Sequence, residues 1–128
     1  MPILKDDVKN ALGVWLESKG FSNVKIRLGT KQGYDVEGVN PTSCKRLVIE
    51  CKGEAKTGDQ WPRSWHNVSS AILTSLWETE NSENLNDVAM AFPDTKDYRN
   101  RMSRLQAFCK RQCIAVYWVS EDGKVQQW

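Results

Sequence analysis

The stretch Leu47–Lys52, LVIECK, is an aliphatic run that closes with Glu-x-Lys. A run of this kind predicts a buried strand, because branched apolar residues fit the pleated surface of a sheet. Side chains alternate between the two faces of a strand, so Glu50 and Lys52 point to one face and Cys51 points to the other. A carboxylate and an ammonium group are therefore expected to share one patch at the end of this strand.

The preceding stretch, GYDVEG, places an aspartate at the head of a second strand. The letters NPTS, which lie between the two strands, are typical of a turn. We predict an antiparallel hairpin of Gly33–Val39 with Lys45–Lys52, centred near Ser43. In that register Asp35 lies opposite Cys51, so two carboxylates and one ammonium group come together.

Length and composition indicate one globular domain over residues 1–128. The chain is 40% hydrophobic and 27% charged, with no repeat, low-complexity tract or linker-like segment. Its first residues become acidic after three apolar ones, which neither a secretory signal nor a membrane span does. We expect a cytoplasmic protein without a membrane partner, whose four cysteines are free thiols.

Hydrophobic periodicity predicts an α/β protein with the order helix, three strands, helix, strand, helix, strand, and a short final strand. In the second helix, Trp65, Val68, Ile72 and Leu76 form the predicted inner stripe. Trp65 is thus expected in the core. Predicted helices cover 5–19, 62–77 and 96–110, and predicted strands cover 24–28, 33–39, 45–52, 88–92, 114–119 and 124–128.

This order and its residues resemble the PD-(D/E)xK nuclease superfamily, which includes restriction endonucleases and archaeal Holliday-junction resolvases. The matching residues are Gly-Tyr-Asp35, a hairpin, and then Val-Ile-Glu50-Cys-Lys52-Gly, preceded by a helix that ends in Lys-Gly-Phe. The resemblance in element order covers almost the whole chain. It implies a restriction endonuclease-like core, αβββαβαβ, with a central mixed sheet flanked by helices.

The resemblance also implies a catalytic set of Asp35, Glu50 and Lys52. Asp35 and Glu50 would hold Mg²⁺ or Mn²⁺, which prefer carboxylate oxygens, and the backbone carbonyl of Cys51 would add a ligand. Lys52 would position the attacking water or stabilise negative charge in the transition state. The alternative is that Glu50 and Lys52 form a surface ion pair at a strand end. Two converging carboxylates repel each other without a cation, which favours the metal site.

The first helix offers further carboxylates at the same edge of the predicted sheet. Its start is expected to meet the end of the first strand, the start of the second and the end of the third. Asp6 or Asp7 is therefore a candidate metal ligand, although both residues are also suited to capping the helix N-terminus. The resemblance leads us to expect a glutamate from this helix, and none stands at its start. Glu37 shares a face with Asp35 and is a candidate for a contact behind the ligands.

Contacts with a nucleic acid are expected from the loop after the Glu-x-Lys strand and from the third predicted helix. Arginine and lysine neutralise phosphates, and indole rings stack on any base. The alternatives are core packing for the indoles and an ordinary solvated face for the basic helix. The candidate nucleic-acid-binding residues are Lys31, Lys56, Gln60, Trp61, Arg63, Arg99, Arg101 and Arg104.

The function expected from the resemblance is a Mg²⁺-dependent endodeoxyribonuclease. No sequence-reading module is recognisable, so cleavage of DNA without strict sequence specificity is predicted, and RNA remains an open alternative substrate. The small size of the chain suggests a homodimer, because one copy covers little duplex. The alternative function is a catalytically inactive domain of the same fold that binds nucleic acid or another protein.

Overall fold

A computed structural model describes all residues from Met1 to Trp128 as one six-stranded mixed sheet with helices on both faces. The helices are α1 (Lys5–Ser18), α2 (Gln60–Asn81), α3 (Lys96–Met102) and α4 (Gln106–Arg111). The strands are β1 (Ser22–Ile26), β2 (Val36–Val39), β3 (Arg46–Cys51), β4 (Asn86–Pro93), β5 (Ile114–Val119) and β6 (Val125–Gln127).

The strands lie in the sheet in the order in which they occur in the chain. β1, β2 and β3 pair antiparallel, β3 pairs parallel with β4, β4 pairs parallel with β5, and β6 is antiparallel to β5. β3, the strand that carries Glu-x-Lys, therefore lies at the junction between the antiparallel and parallel halves of the sheet.

Two apolar clusters hold the helices against the two faces of the sheet. Leu12 of α1 packs in a cluster with Ile49 of β3. On the opposite face, Val68 of α2 and Tyr98 of α3 pack in a cluster with Met90 of β4. The central parallel strands are buried on both faces, which explains why they read as nearly continuous apolar runs.

The predicted order of elements is confirmed as a mixed α/β fold, with one correction in the third helix. The predicted helix at 96–110 is divided in two, because α3 ends at Met102 and α4 begins at Gln106. The hydroxyl of Ser103 donates to the carbonyl of Asn100 at 2.8 Å. A serine hydroxyl that bonds the local backbone competes with continued helix formation. The predicted basic helix face is consequently split between two short helices.

A second correction concerns Trp65, which was expected in the core and is 58% exposed. The inner row of α2 is formed mainly by small residues, including Ser64, Ala71 and Ser75, with Val68 between them. Small side chains let the helix backbone approach the sheet closely, and this leaves no room for an indole beneath α2.

The register of the β2–β3 hairpin differs by one residue from the predicted one. Val36 pairs with Ile49, so Asp35, one step before β2, lies across from Glu50 rather than Cys51. The turn explains the shift. The N–H of Asn40 donates to the carbonyl of Lys45 at 2.9 Å and closes the hairpin.

Two further expectations can be compared with the structure. All four cysteines are free thiols, as predicted, with Cys51 and Cys109 buried and Cys44 and Cys113 exposed. None of the four helices has the length and apolar character needed to cross a bilayer.

Candidate active site

Asp35 lies beside the end of β3, and both oxygens of its carboxylate are engaged. Oδ2 accepts a hydrogen bond from the backbone N–H of Cys51 at 2.9 Å. Oδ1 lies 3.4 Å from Nζ of Lys5 and 3.6 Å from Nζ of Lys9. The predicted meeting of the head of the second strand, the end of the third and the start of the first helix is therefore observed.

Glu50 and Lys52 form a pair on the α2 side of β3. Nζ of Lys52 lies 3.6 Å from Oε1 of Glu50 and donates to the hydroxyl of Ser70 at 3.3 Å. Burial raises the pKa of the Glu50 carboxyl, and the negative charge of Asp35 raises it further, while Lys52 acts in the opposite direction. The structure thus brings Asp35, Glu50 and Lys52 into one electrostatic unit.

The thiol of Cys51 is not a reactive group in this site. It is fully buried, and burial raises its pKa well above the usual value, with further increases from the charges of Asp35 and Glu50. A thiol of this kind stays protonated and is a poor nucleophile. The proposed part of Cys51 in a metal site concerns its backbone carbonyl alone, and that part stays a prediction.

Two lysines of α1 belong to the site and were not among its predicted residues. The side chain of Lys9 is only 1% exposed, and its Nζ donates to the carbonyl of Arg27 at 2.5 Å. Lys5, Lys9 and Gly13 follow at intervals of four, so they lie on one row of the helix. A Cβ built on Gly13 would lie 2.8 Å from Cγ1 of Ile26. A glycine on that row was therefore a sequence signal that Lys9 faces the sheet.

Asp6 and Asp7 have different neighbours. Oδ2 of Asp7 accepts a hydrogen bond from the backbone N–H of Leu4 at 2.9 Å, which confirms the capping alternative for Asp7. Oδ1 of Asp6 accepts from the N–H of Gly29 at 3.2 Å and lies 3.6 Å from Nζ of Lys9. Asp6 thus reaches the network around Asp35 through a shared lysine.

The loop after Lys52 is held tightly against α1 and α3. A Cβ built on Gly53 would overlap the backbone nitrogen of Lys5, so a side chain at this position has no space. The carbonyl of Gly53 accepts hydrogen bonds from the hydroxyl of Tyr98 at 2.9 Å and from Nδ2 of Asn67 at 3.1 Å. These contacts fix the backbone on which Lys52 is mounted.

Gln60 uses its side-chain amide to close this loop. Its Oε1 accepts from the N–H of Ala55 at 2.9 Å, and its Nε2 donates to the carbonyl of Ala55 at 2.8 Å. A contact between Gln60 and a substrate stays a prediction that would require these bonds to open.

The predicted nucleic-acid-binding basic residues differ in whether their side chains already have partners within the fold. Arg99 makes two hydrogen bonds to Asp94, at 2.7 and 2.9 Å, and its Cζ lies 4.2 Å from the ring centre of Trp118. Arg101 stacks on Trp61, with Cζ 3.3 Å from the ring centre, and donates to the carbonyl of the same residue at 2.9 Å. Both arginines are therefore engaged within the fold. The exposed basic candidates are Lys31, Lys56, Arg63 and Arg104.

Glu37 is a carboxylate of the fold with two arginine partners. It is 5% exposed and accepts hydrogen bonds from Nη1 of Arg27 at 2.5 Å and Nη2 of Arg46 at 2.8 Å. Burial alone would raise the pKa of Glu37, but the bonds from the two arginines outweigh it, and the net pKa is lowered. The expected contact of Glu37 with the metal ligands stays a prediction. The hydrogen bonds observed for Glu37 instead stabilise the meander formed by β1, β2 and β3.

Asp35 and Glu50 fit a hard divalent cation as a pair of oxygen donors. No group of three or more His, Cys, Asp or Glu side chains is arranged to hold a metal. Burial and the neighbouring charge of Asp35 both raise the pKa of Glu50, and a positive charge placed between the two carboxylates would offset their repulsion. The side chain of Lys5 is 43% exposed and can withdraw to make room. The donor chemistry therefore suits Mg²⁺ or Mn²⁺ with waters completing the shell.

Comparisons of the chain with models of protein families, with curated proteins and with solved structures found no match. A functional assignment therefore depends on the site itself. Its central features are two carboxylates at the end of β3, Lys52 beside Glu50 directly after the strand, and two lysines of α1 beside Asp35, one partly exposed and one buried.

Proposed function

We propose that the protein is a metal-dependent nuclease that hydrolyses phosphodiester bonds of DNA, as an endonuclease without strict sequence specificity. The observation that carries this proposal is the convergence of Asp35, Glu50 and Lys52 at the end of β3. A restriction endonuclease-like core is part of the same proposal. The order of α1, the antiparallel β1–β2–β3 meander, α2 and the parallel strand β4 supports it.

The roles follow from the chemistry of each group. A bound Mg²⁺ or Mn²⁺ would polarise the phosphate and lower the pKa of a bound water. Asp35 presents its carboxylate in a fixed orientation, because Cys51 N–H holds Oδ2. Glu50, whose pKa is raised by burial and by Asp35, would supply a second carboxylate oxygen to the cation and would release any bound proton to solvent when the cation binds. Lys52 supplies a positive charge for the oxygen that becomes negative in the transition state.

Electrostatics favours the approach of a polyanion. Three ammonium groups, those of Lys5, Lys9 and Lys52, surround the two carboxylates. Lys5 is the most exposed of the three and can shift from Asp35 to a phosphate oxygen when substrate arrives. Exposed Lys56 and Arg63 follow on the loop and the first turn of α2, and extend the positive surface beyond the site.

The test is a cleavage assay on linear, supercoiled and branched DNA and on RNA, with Mg²⁺ or Mn²⁺ compared with EDTA. Lys52→Ala is expected to reduce cleavage at least about 100-fold while DNA binding is kept, because the lysine acts on the transition state. Lys124→Ala is the matched control, since Lys124 is exposed and pairs only with Asp122. Absence of metal-dependent cleavage of every substrate would refute the enzyme, and normal cleavage by Lys52→Ala would refute the site.

A non-catalytic binding module is the second candidate, and one observation favours it. Oδ1 of Asp35 already has two ammonium partners, so its charge is compensated without a cation. Thermal unfolding with and without Mn²⁺ separates the two functions. A nuclease site gains about 2.7 kcal/mol when the cation is present at 100 times its Kd, because only the folded state binds it. In a nuclease, Glu50→Gln is expected to abolish this Mn²⁺-dependent gain in stability. In a non-catalytic binding module, neither the parent nor Glu50→Gln is expected to gain stability from Mn²⁺.

A further inference from the structure

Helix α2 carries a row of large apolar side chains on its solvent side. Trp61, Trp65, Leu73 and Trp77 are 43%, 58%, 69% and 64% exposed, respectively. They occur at intervals of four with exposed Ser69 in the middle, and we call these five residues the α2 ridge. The largest apolar patch of a soluble protein is often an interaction site, and the α2 ridge is a patch of this kind.

The α2 ridge is symmetric about Ser69. Leu73 and Trp65 lie four residues to either side of the serine, and Trp77 and Trp61 lie eight to either side. A twofold axis through Ser69 therefore sets Trp65 of each copy beside Leu73 of a second, antiparallel copy, while Trp61 and Trp77 lie at the two flanks of the contact. Rows at intervals of four pack between two helices at a crossing angle of about −50° and an axial distance of about 8–10 Å. A small serine at the crossing point permits that close approach.

Charge on α2 also fits an antiparallel second copy. The exposed arginine of the helix, Arg63, is in its first turn, and the exposed glutamate, Glu80, is in its last turn. Exposed Lys56 and Glu83 continue the same polarity beyond the two helix ends. An antiparallel pairing turns the basic end of each helix toward the acidic end of the other, which is electrostatically complementary.

The exposed area of the α2 ridge is roughly half of what each partner buries in a standard interface. With about 150–250 Å² for a buried aromatic side chain, the exposed fractions of the ridge amount to roughly 400–500 Å² per copy. A standard interface buries about 800 Å² per partner. The polar residues on either side of the ridge supply the remainder as a rim.

We infer that the protein forms a homodimer in which the α2 ridges of two copies pack antiparallel and cross at Ser69. The interface lies beside the candidate site, because the adjacent residue, Ser70, accepts the hydrogen bond from Lys52. The two sites of the dimer then flank the twofold axis. Trp61, whose ring already stacks with Arg101, lies at the flank of this interface. The inference does not depend on the proposed nuclease activity.

The first experiment measures molar mass by light scattering between about 1 and 200 µM. The parent chain is expected at twice 14.6 kDa, and Leu73→Glu and Trp77→Glu are expected at 14.6 kDa with unchanged circular dichroism. Val14→Glu is the matched control, because Val14 is 72% exposed on α1, and it is expected to stay dimeric. A monomeric parent, a ridge variant that stays dimeric, or a monomeric Val14→Glu would overturn the inference. Cleavage plays no part in this readout, so failure of the dimer and failure of the nuclease are distinguishable.

The second experiment tests the crossing point. In a chain with Cys44→Ser and Cys113→Ser, which removes the two exposed thiols, Ser69→Cys is expected to form a disulfide-linked dimer on mild oxidation. Ser18→Cys, at an exposed position of α1, is the control and is expected to remain uncrosslinked. Equal crosslinking of both variants, or none by Ser69→Cys, would refute the symmetric crossing.

Discussion

Replacement of Gly53 by alanine is expected to be among the most damaging single changes in this protein, although it adds one methyl group. A Cβ at this position would lie 2.5 Å from the carbonyl carbon of Leu4 and 2.6 Å from Cα of Lys5. These atoms belong to the backbone at the start of α1 and cannot rotate away. The backbone nitrogen of Lys5 is closer still, so the start of the helix must move by more than 1 Å to reach an ordinary contact of 3.4 Å.

The cost follows from the bonds at that junction. The N–H of Glu54 donates to the carbonyl of Ile3 at 2.7 Å, and Oε1 of Glu54 accepts from the N–H of Ile3 at 3.0 Å. Loss of two hydrogen bonds costs about 2 kcal/mol, and overpacking of a tight contact adds about 1–3 kcal/mol. Gly53→Ala is thus expected to lower the free energy of unfolding by about 3–5 kcal/mol. At about 4 °C per kcal/mol for a chain of this size, Tm falls by roughly 12–20 °C.

The assay is urea and thermal unfolding followed by circular dichroism. The control is Gly38→Ala, because Gly38 is also buried and a Cβ there would meet Val24 and Phe21 side chains at 3.4–3.5 Å. That variant is expected to unfold within about 1 kcal/mol of the parent. A Gly53→Ala chain as stable as Gly38→Ala would show that α1 does not cross the backbone at residue 53 as described.

Two further predictions concern buried charges. Glu37→Gln is expected to cost about 2 kcal/mol at pH 7, since a neutral amide replaces a carboxylate that bonds two arginines. The pKa of Glu37 is lowered in the folded state, so its contribution to stability is present above its unfolded pKa of about 4.3 and is lost as pH falls through the folded pKa. The difference in the free energy of unfolding between the parent and Glu37→Gln should therefore narrow from about pH 7 to about pH 3 when measured by urea unfolding. An unchanged difference would contradict this. Lys9→Met is expected to cost about 2–3 kcal/mol in urea unfolding, because the buried ammonium beside Asp35 is lost. The more exposed Lys5→Met should cost less than about 1 kcal/mol, and equal losses would argue against the burial of Lys9.

The order of elements and the meeting of Asp35 with the end of β3 could be predicted from sequence. Both depend on local signals, namely alternation in strands, a turn of known composition and the adjacency of antiparallel neighbours. The register was wrong by one residue, because the hairpin is closed by Asn40 with Lys45 rather than centred on Ser43. Strand alternation restricts a register but does not determine how a turn closes.

The remaining differences come from interactions that a pattern of apolar residues does not encode. Trp65 has the spacing of a core residue, but small neighbours on α2 bring the helix so close to the sheet that the indole is outside. Lys9 is the reverse case, since lysine is almost never fully buried unless it is paired. Its partners, Asp35 and the carbonyl of Arg27, are distant in sequence and become neighbours only in the fold.

The position of β3 between an antiparallel and a parallel neighbour has a consequence for how the site is assembled. The charged groups from Lys5 to Lys52 all come from the first half of the chain, but the backbone N–H of Lys52 donates to the carbonyl of Ala91 at 3.0 Å. A chain that ends before β4 therefore contains every charged residue of the site but lacks the strand that holds the backbone of Lys52 in place. Parallel pairing of β3 with β4 requires the crossover through α2, so closure of the site depends on long-range contacts and not on local structure. The amide of Lys52 should accordingly be protected from hydrogen exchange only once β4 is in place, so its protection reports closure of the site.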